Sequence, residues 1–203
     1  MLPPLSESFF QPSAEVVAPL LLGHWLIRNS PDGPSGGPIV ETEAYLKDDP
    51  ACHAFGGPTA RNQAMWGAPG RAYVYLIYGY HFCVNAVCCP PGVAEAVLIR
   101  AIEPVIGVEF MCKNRPVREP RQLTNGPAKL CAALNIDRSL DGVTLYVGES
   151  ALWIGANPKI EQYRQEQGPI VTATRVGIAK AAHLPLRFYL SGSRFVSQLP
   201  GKP

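Results

Sequence analysis

The sequence predicts an α+β fold in one compact domain, residues 1–203, with an antiparallel or mixed sheet, flanking helices and a protruding β-hairpin. Three observations carry that reading. A chain of 203 residues fits one domain that buries its own core without metal or disulfide staples. Strand signals come in pairs joined by short Gly-containing links, while helical signals are few and set apart from them. No internal repeat or low-complexity tract breaks the pattern.

The totals narrow the class further. Charged residues make up 17%, below the usual quarter of a soluble chain, and 21 prolines imply many irregular connections. A net charge of +2 excludes a tail-like or strongly basic nucleic-acid binder and leaves room for a local basic patch. Arginine supplies most of the positive charge, which suits bidentate phosphate contacts. The cysteines Cys52, Cys83, Cys88, Cys89, Cys112 and Cys131 contain no C-x-x-C pair, and the vicinal pair is ill-suited to an ordinary bridge, so they read as reduced. MLPPLSESFFQPS has no secretory pattern and no apolar run has the length of a membrane span, so a cytosolic protein is expected, without a membrane partner.

Taken in order, Ser13 can cap a helix over AEVVAPLLLG that ends at Gly23, bending or restarting at Pro19. HWLIRN reads as a strand, and the Pro- and Gly-rich Pro31 to Pro38 turns the chain back into PIVETEAYL, giving a hairpin. Lys47 to Gly70 is a long irregular segment, and such loops in compact domains are more often functional than idle. Two aromatic and β-branched runs, Ala72 to Tyr78 and Phe82 to Cys88, form a second hairpin with its tip at Tyr78, Gly79, Tyr80 and His81. AVLIRAIEP is a strand with Leu98, Arg100 and Ile102 on one face. A helical stretch follows from Val105, then the basic, Pro-containing KNRPVREPRQ. A helix capped by Asn125 with Pro127 in its first turn comes next, and strand signals return in VTLYVG, ALWIGA and LRFYLSG, with TATRVGIAK before the last.

The stretch PIVETEAYL holds the most chemistry. Alternation puts Glu41, Glu43 and Tyr45 on one face and Val40, Thr42 and Ala44 on the other. Two like charges facing a core are costly, so this strand either lines a polar cleft or lies at an edge with its charges in water, and on this stretch alone the solvated edge is the simpler reading. Arg100, flanked by apolar neighbours, needs a partner if buried, and Glu43 is the obvious one. Large rings at a hairpin tip mark a contact surface better than a packing site.

These residues resemble the 3-methyladenine DNA glycosylase family of the alkyladenine type, over about Phe9 to Ser197. The resemblance is carried by VETEAYL, by HAFGG from His53 with Arg61 and Asn62 after it, by PGxxYVYLIYG, VLIRAIEP and NGPAKLC, and by RVGIAK followed by PLRFYLSG. It implies an enzyme that flips a damaged purine out of duplex DNA and hydrolyses its glycosidic bond, with no cofactor; a monomer is the default expectation for the oligomeric state. It implies that Glu43 is the general base, helped by Arg100 and the backbone carbonyl of Val176, and that Tyr45, His53 and Tyr75 surround the flipped base. Asn85 would screen bases by their exocyclic groups and Tyr78 would fill the gap left in the duplex. Tyr80 and His81 would add minor-groove contacts, where this chain's residue types differ from the family's. Thr59, Arg61 and Arg138 fall at phosphate-contacting positions, Arg138 in place of a lysine. The chain is about one residue shorter than the mammalian form between Glu43 and His53, and its Cys88 to Gly92 link also departs.

The chemistry is consistent with that assignment. Extruding a base costs a few kcal/mol, which a ring inserted at the gap partly offsets. A cationic alkylpurine between aromatic rings gains roughly 0.5 to 2 kcal/mol per good contact and is also a good leaving group. A carboxylate can stabilise the oxocarbenium-like sugar and deprotonate the attacking water. No lysine is expected beside Glu43, Arg100 and Tyr75, so the reaction is read as monofunctional. Three other readings stand beside it: a carbohydrate hydrolase using Glu41 and Glu43, whose carboxylates would approach from the same side; a lesion-binding protein that does not cleave; and a metal site at Cys52, His53, His81 and Cys83, which lacks structural zinc spacing.

Overall fold

The computed structural model describes residues 2–197. Its eight strands are β1 (Trp25–Ser30), β2 (Gly33–Tyr45), β3 (Ala72–Ile77), β4 (His81–Cys88), β5 (Glu95–Ile102), β6 (Leu152–Gly155), β7 (Ile170–Ala173) and β8 (Arg187–Leu190). Every pairing between them is antiparallel, in the order β3-β4-β5-β2-β1-β6, with β8 also on β2 and β7 on β8. The α-helices are α1 (Ala14–Leu21), α2 (Val108–Asn114), α3 (Pro127–Ala133) and α4 (Ile160–Gln167). The result is one compact α+β unit, as the sequence predicts.

The long strand β2 is the axis of the sheet. Glu41 pairs with Ala101 of β5 on one side and Tyr189 of β8 on the other, while Gly33 to Pro38 pair with β1. The solvated-edge reading of Glu41 and Glu43 is therefore overturned: both are fully buried. Alternation assigned the right face, but only strands from elsewhere in the chain decide what lies beside it.

The PDGPSGGP stretch is also corrected. The chain turns within two residues after Ser30, and β2 already runs from Gly33. Its glycines serve close approach, since a Cβ at Gly36 would meet the Leu26 carbonyl oxygen at 2.0 Å and one at Gly37 the Glu103 oxygen at 1.8 Å. VTLYVG is no strand either and contributes only an isolated bridge between Thr144 and Arg71. The helix α4 escaped the sequence reading because IEQYRQEQ buries no residue and so shows no apolar stripe.

Helix ends use tertiary partners where local caps were expected. Ser13 makes no side-chain cap bond. The Ala14 N–H instead donates to Glu95 Oε2 of β5 at 2.9 Å. α1 runs through Pro19 as one helix, and Thr42 Oγ1 donates to the Ala18 carbonyl at 2.9 Å, fastening it to β2. Gly126, not Asn125, occupies the cap position of α3, with Pro127 at its start as expected.

The two faces of β2 and β5 then separate fold from chemistry. Val40, Ala44, Val97 and Ile99 join Val17, Ala18 and Leu21 of α1 in the main core. The opposite face carries Glu41, Glu43, Tyr45, Leu98 and Arg100. Thr42 pairs with Ile99 and Glu41 with Ala101, which leaves Arg100 as the extra residue of a β-bulge. A bulge re-aims the side chain it carries, and here that chain is the arginine of the site. The compensating irregularity beyond it sends Ile102 into the main core, away from the face it shares with Arg100 by simple alternation.

Candidate active site

Glu43 is held on three sides. Val176 N–H donates to its Oε1 at 2.8 Å, Arg100 Nη1 lies 3.2 Å from the same oxygen, and the Tyr45 hydroxyl donates to Oε2 at 2.9 Å. The contact from Val176 is thus its amide; the sequence reading expected its carbonyl. Glu41 is engaged more completely: Arg100 Nε, Arg187 Nε and Ser197 Oγ all donate to Oε1 at 2.8 Å, and Ser197 N–H donates to Oε2 at 2.6 Å. A carboxylate offers about four lone-pair sites. Glu41 accepts four donors, two of them guanidinium groups, whereas Glu43 accepts three with a single guanidinium among them, so Glu43 is the less neutralised of the two and the better placed to take a proton.

Arg100 links the two carboxylates. Burial opposes its charge, but Glu43 and Glu41 outweigh that and hold its pKa above the usual arginine value. The expected Glu43 partnership is present, and the closer one is with Glu41.

In front of this pair lies a cavity of about 490 Å³ whose wall includes Tyr45, Tyr75, His53, Asn85, Leu98 and Arg100, a volume within the usual range for small-ligand sites. Glu43 itself is not in the wall; its partners Tyr45, Arg100 and Val176 are. The rings brace one another. Tyr73 and Tyr75 stack at 5.2 Å, His53 meets Tyr75 edge-on at 4.4 Å, and His53 Nδ1 shares a 3.0 Å hydrogen bond with the Tyr73 hydroxyl. Burial, then the charge of Arg61, lowers the His53 pKa and keeps the ring neutral at pH 7. Burial raises the Tyr45 and Tyr75 phenols far above their ordinary value, so neither ionises near neutrality. Asn85 is buried and spends its amide N–H on the Tyr73 carbonyl at 3.0 Å.

The hairpin of β3 and β4 carries Tyr78 and Tyr80 at its tip, 76% and 73% exposed. Tyr78 has φ 53° and Gly79 φ 79°, and Tyr80 N–H reaches the Ile77 carbonyl at 3.4 Å, as in a primed hairpin turn. A tyrosine at positive φ is uncommon and points to a role for its ring. Tyr78 and His81 border the cavity; Tyr80 does not, and its ring lies 4.2 Å from that of His81.

Arg61 and Arg138 lie together along the outer side of β3. Arg61 Nη2 donates to the Leu76 carbonyl at 3.1 Å with its guanidinium 5.4 Å from the Tyr75 ring centre, and Arg138 Nη1 donates to the Val74 carbonyl at 2.7 Å. Thr59 is turned inward to Asn62, its Oγ1 accepting the Asn62 N–H at 3.3 Å.

Several contributors lie in the quoted motifs but carry roles that the sequence reading does not assign. Asn62 organises the long segment: its side chain accepts from Thr59 N–H and Trp66 Nε1 and donates to the His53 and Gly57 carbonyls. Arg175, buried, pairs with Asp49, donates to the Ala44 carbonyl at 3.0 Å and lies 4.7 Å from the Tyr45 ring centre. RVGIAK lies in the loop between β7 and β8, and the pairing of β8 with β2 brings it back beside Glu43. Lys129, on the cavity wall with its ammonium donating to Asn125 Oδ1 at 2.9 Å, alters the premise that no lysine is near. Among the described residues no group of three or more metal-ligating side chains is gathered, and no helix is long and apolar enough to cross a membrane. None of the six cysteines is bridged; burial raises Cys52, on the cavity wall, to about 11.

Comparison with known proteins supplies the class. A family model described as methylpurine-DNA glycosylase matches residues 8–194, which makes this chain an enzyme that hydrolyses N-glycosidic bonds in DNA. The chain belongs to the methylpurine-DNA glycosylase family. A protein of Methanoculleus marisnigri is 47% identical over 96% of this chain and 98% of its own length. One of Rhodopseudomonas palustris is 48% identical over 97% and 89%, and one of Nitrosospira multiformis 44% identical over 93% and 91%. All three are provisionally named 3-methyladenine DNA glycosylase.

Proposed function

We propose that this chain flips alkylated or deaminated purines out of duplex DNA into the aromatic cavity and hydrolyses their N-glycosidic bond as a monofunctional enzyme. The observation that carries this is the unequal neutralisation of two adjacent buried carboxylates, Glu43 with one guanidinium partner and three neighbours on the cavity wall, Glu41 with two guanidinium partners. Tyr78 fills the gap in the duplex, Tyr45, His53 and Tyr75 hold the base, and Asn85 tests its edge. Leaving-group departure gives an oxocarbenium-like sugar. Glu43 stabilises that charge and takes the proton of the attacking water, while Arg100 holds the carboxylate in place. Arg61, Arg138 and Thr59 meet the phosphates, and Tyr80 and His81 the minor groove.

The enzyme acts as a monomer in the cytosol, at the nucleoid, on double-stranded DNA with damaged purines, and needs no metal or other cofactor. A lesion-binding protein without catalysis is the competing reading; a carboxylate with a single arginine partner directly behind the cavity wall favours the enzyme. The test is a panel of duplexes with one defined lesion each, 3-methyladenine, 7-methylguanine, hypoxanthine or ethenoadenine, run with borohydride. The expected result is base release without a trapped protein–DNA adduct, since Lys129 Nζ is engaged by Asn125 Oδ1 and no lysine has an assigned part in the chemistry. A trapped adduct lost in Lys129→Met would contradict the monofunctional reading, and absence of release from every lesion would contradict the enzyme.

A further inference from the structure

The basic stretch after α2 has no part in the site so far. Residues 113–129 contain five cations, Lys113, Arg115, Arg118, Arg121 and Lys129, against the single carboxylate of Glu119. With a net charge of +2 for the whole chain, the remainder carries −2, so the chain's positive excess lies here. None of the five has an ion-pair partner among the described residues. Glu119 accepts instead from Gln122 Nε2 at 3.3 Å. Arg115 Nη1 is buried without an acceptor, Arg121 is exposed, and Lys129 lines the cavity. Burial, then the positive charges of Arg115 and Arg121, lowers the Lys129 pKa. Like charges gathered without a counter-charge are unfavourable in the free protein, and an unmet buried donor costs about 1–3 kcal/mol. Both are relieved by a polyanion laid across the site.

We propose that Arg115, Arg121 and Lys129 form a second phosphate clamp, on the α3 wall of the cavity, that grips the backbone of the DNA strand carrying the flipped nucleotide. Arg61 and Arg138 donate to carbonyls of β3, whereas Lys129 lines the cavity from α3, so the two cationic groups belong to different elements around the site. Two anchored backbone positions hold a nucleotide extruded better than one, because the phosphodiester link cannot relax back into the stack. The inference rests on duplex DNA being the substrate.

The experiment measures affinity for a duplex bearing one tetrahydrofuran abasic analogue, which cannot be excised, over a series of potassium chloride concentrations. For Arg115→Gln/Arg121→Gln the slope of log K against log salt should fall by about 2 relative to the parent protein. Arg121→Lys should keep the parent slope, since a phosphate contact needs the charge whereas a packing role would not survive the change of shape. Hypoxanthine should still be released in a single turnover at saturating enzyme, because the reacting groups are untouched. A double variant that folds with an unchanged salt slope overturns the clamp. If it does not fold, the slope of the exposed Arg121→Gln alone decides, with a fall of about 1 expected. Parent protein that binds the duplex without any salt dependence overturns the substrate reading and the clamp with it, whereas an unchanged slope alongside hypoxanthine release overturns the clamp alone.

Discussion

Glu41 and Glu43 are two residues apart on one face of β2, equally buried, and differ only in what surrounds their oxygens. Glu41 neutralises Arg100 and Arg187 together and also accepts from Ser197 N–H and Oγ. It is a structural ion-pair centre. Breaking a buried pair from one side costs about 3–5 kcal/mol because the partner charges stay behind. Glu41→Gln should therefore lower the melting temperature by many degrees, and excision per folded molecule should fall far less than in Glu43→Gln. A Glu41→Gln protein with parental melting temperature would remove the basis for treating the two carboxylates differently. The sequence revealed the strand face and the Arg100 partnership, but the division of labour between the carboxylates was hidden in Arg187 and Ser197, more than a hundred residues away.

At the scale of elements, the hairpin of β3 and β4 is the part best read in advance. Its strand limits were placed within a residue, because alternation and a Gly-containing link are local signals. The positive φ of Tyr78 was not legible, and it makes the wedge assignment more specific: the turn tolerates a strained tyrosine that glycine would relieve. Tyr78→Ala should weaken binding to a duplex with a paired lesion far more than it slows excision from a lesion already unpaired, since the ring acts by holding the flipped state. Equal losses on both substrates would make Tyr78 an ordinary fold residue. The helix caps were less legible. Glu95, the partner of Ala14 N–H, comes from a strand far along the chain, so no local pattern at Ser13 could foretell it.

For the molecule as a whole, the α+β class and single compact unit followed from hairpin signals and length. The central place of β2 did not, because β5 and β8 reach it from the middle and end of the chain. A global property testable without substrate is acid lability. His24 accepts Asn157 N–H through Nδ1 at 3.2 Å, and burial, then Arg164, lowers its pKa to about 4 from the ordinary 6.5. A histidine depressed in the fold is neutral there while the unfolded chain takes up a proton. Stability is thus full above 6.5, falls as pH drops toward 4, and levels off below, a loss of about 3 kcal/mol in all. His53 adds a loss of the same sign. Urea unfolding at pH 7 and pH 4.5 should show this loss, and His24→Gln should flatten it. An equal pH dependence in His24→Gln would mean that His24 is not the group responsible.

The central claim is that Glu43 performs the chemistry from behind the cavity wall. Glu43→Gln keeps size and an acceptor for Val176 N–H but cannot take a proton from water. Single-turnover excision and duplex affinity measured on the same lesion should separate. Affinity is expected within a few fold of the parent while the rate falls by roughly a hundredfold or more, the scale of general-base loss. A parental excision rate in Glu43→Gln, with lesion binding intact, would contradict the account.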